Sequence, residues 1–372
     1  MHPALVRNLR IIQRETPEKV KPAKLIFDRL QDQLINNAHT HTLHDDYGDE
    51  FATVLSTYVS TNELDIPPQG GKIDRSKKPL SPSEQILDLG QGKDMTVGIM
   101  PGFALPGQGG AFDNERVRQA ADLVGHAITR EENLTVSIHS LVTSRGGRAG
   151  WQWVDDLKEN GFSQHALIYS GALEKNCEKN AENPLIVAYG ESMGSINALY
   201  TAQALVASDH EVLLYTQNPP GPNSLLPSWL KKTQTIAGYL GEAVTRRVFK
   251  GLEKVTPKTV DEAPFFHELY ADLEKRGIIK PEDSQQRRRK WRATLVDLRN
   301  LLSQLPFSTE DIAIPTIINY GWKDPTSFTL ERMRLWKKGE RESIKGIIKH
   351  RLSNFAHTPE YDPMRWVNEL SE

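Results

Sequence analysis

From residue 95 onward, short continuous apolar runs alternate with longer stretches of helical pattern. The runs are Met95–Met100, Leu134–His139, Leu185–Tyr189, Val212–Tyr215 and Thr316–Asn319. A strand with one solvated face alternates apolar and polar residues, whereas an unbroken apolar run of five or six residues suits a strand buried on both faces. Such strands separated by helices require crossover connections, and crossovers make a mostly parallel sheet. The expected fold class is therefore α/β, a mostly parallel sheet of about eight strands flanked by helices.

The alternation pauses between residues 218 and 311, a stretch rich in Lys, Arg, Glu and Leu and broken at Pro227, Pro257, Pro264, Pro281 and Pro306. An insertion of this size between two strands reads as a helical cap over one end of the sheet. The expected organisation is residues 1–90 as an N-terminal extension with early strands, 91–217 and 311–372 as the core, and 218–310 as the cap. Within the extension, Ile26, Leu30 and Leu34 form one apolar stripe at helical spacing. Residues 51–60 are β-branched and aromatic, which favours a strand, and 67–83 hold four prolines and two glycines, which reads as a loop. A final helix is expected near 361–370.

The sharpest chemical signal is the run Leu185-Ile-Val-Ala-Tyr-Gly190-Glu191-Ser192-Met193-Gly194-Ser195. A buried strand enters Gly-x-Ser-x-Gly, and a helix of small residues follows. Glycine suits positions 190 and 194 because the turn is too tight for side chains there, and the turn thrusts Ser192 Oγ out at the carboxyl end of the sheet. The helix N-terminus behind the serine favours developing negative charge. The bare Gly-x-Ser-x-Gly pattern is a weak signal, with roughly 0.1 chance matches expected in a chain this long; the flanking strand and helix make Ser192 the candidate nucleophile.

Serine needs a base within hydrogen-bond reach and a carboxylate to orient that base. Asp324 follows the last apolar run in Asn319-Tyr-Gly321-Trp-Lys-Asp324-Pro, and His357 lies in Asn354-Phe-Ala-His357-Thr-Pro before the final helical pattern. They are the candidate orienting acid and general base. His350 and Asp362 are rivals, His350 in a basic stretch at a strand or helix end and Asp362 where a helix cap is expected. An oxyanion requires N–H donors. The Met193 N–H, next to the nucleophile, is one candidate, and Phe103 or Ala104, in the Pro101-Gly102-Phe103-Ala104 turn after the first run, is the other.

These motifs together resemble the α/β-hydrolase superfamily over roughly residues 90–220 and 311–370. The elbow matches at 190–194, the Gly-x-x-Asp after the last parallel strands at Gly321 to Asp324, and the histidine before the last helix at His357. The oxyanion turn reads Pro101-Gly102 where many members have His-Gly, and Ser144-Arg-Gly-Gly-Arg-Ala-Gly stands where Asp-x-x-Gly-x-Gly is common. The resemblance implies a serine hydrolase acting on a carboxylic ester or thioester through an acyl-enzyme. Acyl transfer, amide or peptide cleavage and carbon–carbon hydrolysis use the same machinery, and a non-catalytic binding protein could keep the fold. An aspartate nucleophile, as in epoxide hydrolases, is disfavoured by the serine at 192.

Other features narrow the partners. A net charge of −2 gives no field for nucleic acid. Cys177 is the single cysteine, so no intrachain disulfide or cysteine metal cluster is expected. His39-Thr-His41-Thr-Leu-His44 has two histidines on one strand face, but the third is off register, so a polar loop or surface strand is expected rather than a metal site. The basic run Arg287-Arg-Arg-Lys-Trp-Arg292 wraps around a helix and reads as a solvated surface. No cofactor or metal is expected, and the partner is a small-molecule acyl substrate. No run approaches the ~20 apolar residues a membrane span needs, and no signal-peptide core is seen, so a cytoplasmic protein without stable membrane insertion is the expectation.

Overall fold

In the computed structural model the described residues are 29, 32–33, 36–44, 50–64, 82–90, 94–100, 123–124, 126–127, 135–142, 162–180, 184–219, 275–277, 312–321, 341–342 and 348–353. They form nine strands, namely β1 (His39–His44), β2 (Glu50–Ser60), β3 (Met95–Met100), β4 (Thr135–Val142), β5 (Leu185–Glu191), β6 (Val212–Gln217), β7 (Thr316–Gly321), β8 (Arg341–Glu342) and β9 (Ile348–Ser353). The helices among them include α1 (Pro82–Gly90), α2 (Phe162–Asn180) and α3 (Gly194–Ala207).

All nine strands join one sheet in the order β1-β2-β4-β3-β5-β6-β7-β9-β8. From β4 to β9 every neighbouring pair is parallel, while β2 and β8 run against the rest. The five apolar runs are β3 to β7, and Met95–Met100 has the bounds read from sequence. The strand expected over 51–60 is β2, and the histidine-rich stretch is β1 at the sheet edge. The early strands thus extend the same sheet. The loop expected over 67–83 ends sooner than its proline content suggests, because Pro82 opens α1. Proline's fixed φ and missing N–H cost nothing at a first helical position.

Strands β3, β5, β6 and β7 are buried at every residue. Helices α2 and α3 pack on each other and on one face of the sheet. There Met100, Ile186, Ala188, Leu214, Ile318 and Tyr320 meet Phe162, Leu173, Ile196, Ala198 and Leu205 in one core cluster. Gly98 lies under α2, where a Cβ would stand 2.7 Å from Leu173 Cδ1. Its absence lets α2 approach closely enough for the Tyr169 hydroxyl to donate to the His139 carbonyl of β4.

Alternation puts Tyr189, Tyr215 and Asn319 on the opposite face. There the chain buries a polar group rather than hydrocarbon. Asn319 Nδ2 donates to Tyr215 Oη at 2.9 Å and Tyr215 Oη to Gln85 Oε1 of α1 at 3.4 Å, with the Tyr189 ring stacked 5.1 Å away. Burial pushes the Tyr215 phenol well above its ordinary value, so it serves as a neutral donor and acceptor. Tyr215→Phe is expected to leave the Asn319 amide short of its nearest acceptor and lower stability by about 1–3 kcal/mol in urea unfolding. An unchanged unfolding midpoint would contradict this.

The helical cap expected over 218–310 lies outside the described residues except at 218, 219 and 275–277, as do the final helix near 361–370 and the basic run at 287–292. The apolar stripe of Ile26, Leu30 and Leu34 also lies outside them. Among the described residues, no helix is long and apolar enough to cross a membrane.

Candidate active site

The chain leaves β3 toward β4 on one side of the sheet, then returns to β5 on the other side and continues outward through β6, β7 and β9. That reversal makes a topological switch point at the carboxyl ends of β3 and β5. In open α/β sheets this is where the crevice for a ligand forms. Ser192 immediately follows β5, and Pro101-Gly102-Phe103-Ala104 come next in the chain after β3. The last residue of β3, Met100, pairs with Gly190.

Ser192 holds a left-handed backbone at φ 50, a conformation that costs a residue with a Cβ about 1 kcal/mol or more. Three contacts fix it there. Its N–H donates to the Gln217 carbonyl at the end of β6 at 2.7 Å, and its carbonyl accepts from Ser195 N–H at 3.0 Å. Ser195 Oγ donates back to the Gly190 carbonyl at 3.2 Å. Gly190 faces the start of α3 so closely that a Cβ would lie 2.6 Å from Gly194 C and from Ser195 Cα. The glycine therefore sets how tightly strand and helix can meet around the serine.

Helix α3 begins directly behind this turn, with Met193 already helical at φ −57, ψ −33 and its side chain fully buried. The Met193 N–H stands at the helix N-terminus, ahead of the Ser195 and Ile196 N–H groups, which donate to the Ser192 and Met193 carbonyls. Its position and the helix dipole make the space beside Ser192 favourable for an oxyanion.

The carboxyl end of β6 carries Gln217 and Asn218, so no carboxylate is available there to orient a base. The next two strands supply the remaining exits. Gly321 ends β7 and Ser353 ends β9, and they are register partners on the same rim as Ser192. Two inter-strand spacings, about 10 Å, separate β5 from β7, and three, about 14 Å, separate it from β9. Asp324 lies three residues beyond Gly321 and His357 four beyond Ser353. Those lengths of chain reach about 10 Å and about 14 Å. Asp324, His357, Phe103 and Ala104 themselves lie outside the described residues, as does Asp362.

The rival histidine is placed elsewhere. His350 sits within β9 opposite Ile318, buried at 2% exposure, with its ring parallel to Tyr320 at 6.1 Å. It belongs to the core beneath the rim. The histidines of β1 form a separate group. The His39 and His41 rings meet edge to face at 4.5 Å, and a register shift falls between Leu43 and His44. His39 pairs with Ser56, and Ser56 with His139. Among the described residues, no cluster of three or more His, Cys, Asp or Glu side chains is arranged to hold a metal ion.

Sequence reading takes Asn218-Pro-Pro-Gly-Pro as the exit into a cap and gives no site role to Gln217, Asn218, Tyr215 or Asn319. The one available signal was Asn218 followed by two prolines at a strand end, a pattern that marks a turn without saying what it touches.

The strand order and the switch point make an α/β fold with a mostly parallel sheet, and the strained serine stands between a strand and a helix as a nucleophile elbow requires. No family model and no curated protein matches the chain. Among solved structures, it is similar to an epoxide hydrolase from Vigna radiata at 8% identity and TM-score 0.44, over 90% of this chain and 97% of that one. It is similar to the RedJ thioesterase of prodiginine biosynthesis from Streptomyces coelicolor at 15% identity and TM-score 0.38, over 84% and 92%. It is also similar to the deformylase Nfo from Pseudomonas putida at 12% identity and TM-score 0.36, over 90% and 100%.

Proposed function

We propose that the protein is a serine hydrolase that cleaves a carboxylic ester or thioester through an acyl-enzyme. The observation that carries this reading is Ser192 at φ 50, anchored to β6 and backed by the N-terminus of α3. A buried serine strained in this way is a poor structural choice and a good nucleophile position.

In the reaction, Ser192 Oγ attacks the acyl carbon while His357 takes its proton. Asp324 holds the imidazolium, and the N–H groups of Met193 and of Phe103 or Ala104 receive the oxyanion. Collapse breaks the bond to the leaving group, which departs with the proton from His357. Water, deprotonated by His357, then attacks the acyl-enzyme, releases the carboxylic acid and returns the proton to Ser192. The substrate is a small acyl compound, residues 218–310 form a helical cap over it, and neither metal nor organic cofactor takes part.

Labelling with a fluorophosphonate probe tests the assignment. The wild-type protein is expected to label covalently and Ser192→Ala not at all, with hydrolysis of p-nitrophenyl acetate reduced by about 10⁴-fold or more in the variant. Equal labelling of the two proteins would overturn the reading.

A further inference from the structure

The end of β6 touches both halves of the rim. Its last carbonyl, Gln217 O, receives the Ser192 N–H at 2.7 Å. The next residue, Asn218, turns into a left-handed backbone at φ 47, just before Pro219. A residue preceding proline is normally extended, so this conformation needs support. It has two bonds to β7. Asn218 N–H donates to the Asn319 carbonyl at 2.8 Å, and Asn218 Oδ1 accepts the Gly321 N–H at 2.6 Å. Asn218 is 1% exposed, so water competes little for these bonds.

Resting on the serine-hydrolase reading above, we infer that Asn218 is a positioning residue that clamps the exit of β7, and hence the Asp324 segment, at a fixed offset from Ser192. The logic is one of lever arms. Ser192 and the Gly321 exit are tied to consecutive residues at the end of β6, Gln217 and Asn218. Past Gly321 only three residues lead to Asp324, too few to correct an error made at the strand end. Asparagine meets both requirements at this position, because it tolerates the left-handed region and carries an acceptor two bonds beyond Cβ. Glycine would satisfy only the backbone, and alanine neither.

The test compares Asn218→Gly with Asn218→Asp, using p-nitrophenyl acetate as substrate. The glycine variant keeps the turn and loses the acceptor. A misplacement of about 1 Å at a catalytic group costs on the order of 100-fold, so kcat is expected to fall about 10- to 100-fold with KM within about threefold of wild type. An imidazole that loses its carboxylate partner is harder to protonate, so the acidic limb of the kcat/KM profile should move to lower pH. Asn218→Asp retains an acceptor for the Gly321 N–H and should recover most of the lost rate. A folded Asn218→Gly with wild-type kcat and an unmoved limb overturns the inference, as does Asn218→Asp as slow as the glycine variant. Amide exchange of wild-type Gly321 adds a check that needs no variant: protection supports the clamp, and exchange at the rate of an open loop overturns it. Ser192→Ala run in parallel separates the two levels. Labelling that survives in that variant removes the hydrolase reading itself. Labelling that is lost there, together with an inert Asn218, removes only the clamp.

Discussion

Gly190→Ala is expected to abolish fluorophosphonate labelling and lower stability by several kcal/mol. A methyl group at this position would stand 2.6 Å from Gly194 C and Ser195 Cα, with the Gly194 carbonyl oxygen also within collision distance. All three are backbone atoms. By contrast, the nearest obstacle at Gly98 is the end of the Leu173 side chain, which can rotate aside. Relief at position 190 requires α3 to move off β5, and that motion opens the Ser195 Oγ to Gly190 carbonyl bond and the packing of Ile196 and Ala198 in the core. Overpacking in a core that can adjust costs about 1–3 kcal/mol, and a clash with the helix backbone belongs above that range. Activity should suffer more than stability. The φ of Ser192 is held by its bonds to Gln217 and Ser195, and a shifted helix strains both constraints. Thermal unfolding and probe labelling of the same preparation check the two parts. A stable Gly190→Ala protein that labels at the wild-type rate would show that strand and helix do not meet as tightly as these distances require.

The parts of this molecule that can be read from sequence are those whose cause is local. Strand β3 is recognisable because both of its faces are covered, which leaves Thr96 as the one polar side chain in Met95–Met100. The elbow is recognisable because two glycines and a serine are the steric solution to one short turn. Strand β9 escapes such a reading because Ile348-Lys-His-Arg-Leu-Ser mixes charge with apolar residues, and the two-residue β8 carries no pattern at all. The start of α1 is hidden by its own proline, which signals a loop and a first helical turn equally well. Asn218 and Asn319 escape it for a different reason. Each is an ordinary polar residue in the chain, and its meaning comes from partners about a hundred positions away. Of the candidate site, sequence locates Ser192 and the structure adds what holds it. It also retires His350, whose place in the core no local pattern could reveal.

Stability is expected to fall steeply as the pH drops below about 6.5, and His139 should be a main cause. Its side chain, on β4, is 2% exposed, with Nδ1 bonded to Ser56 Oγ at 2.8 Å and Nε2 without a hydrogen-bond partner. Protonation would place a charge where, among the described residues, Nε2 has no acceptor. Burial therefore lowers its pKa from 6.5 to about 3, with further lowering from His41 and His39 on the neighbouring edge. In the unfolded chain the imidazole takes up its proton near the ordinary value, while the folded chain refuses it until about pH 3. The unfolded state thus binds more protons throughout that window. Stability is fully present above about pH 6.5 and declines by about 1.4 kcal/mol per unit as the pH falls toward 3. Between pH 7 and 5 this amounts to about 2 kcal/mol, before most carboxylates begin to titrate. Urea unfolding midpoints across that interval test it by comparing wild type with His139→Gln. Glutamine can keep a bond to Ser56 and cannot take the proton, so the variant should lose much of the slope even if its stability at pH 7 is lower. Parallel slopes in the two proteins would mean that some other group governs the acid response. The same row of residues explains why the edge strand matters here: His39 pairs with Ser56 and Ser56 with His139, so protonating the edge histidines raises the cost of charging the buried one. Acid should therefore loosen the β1–β2–β4 side of the sheet before it disturbs the far side of the switch point, where Ser192 stands between β5 and β6.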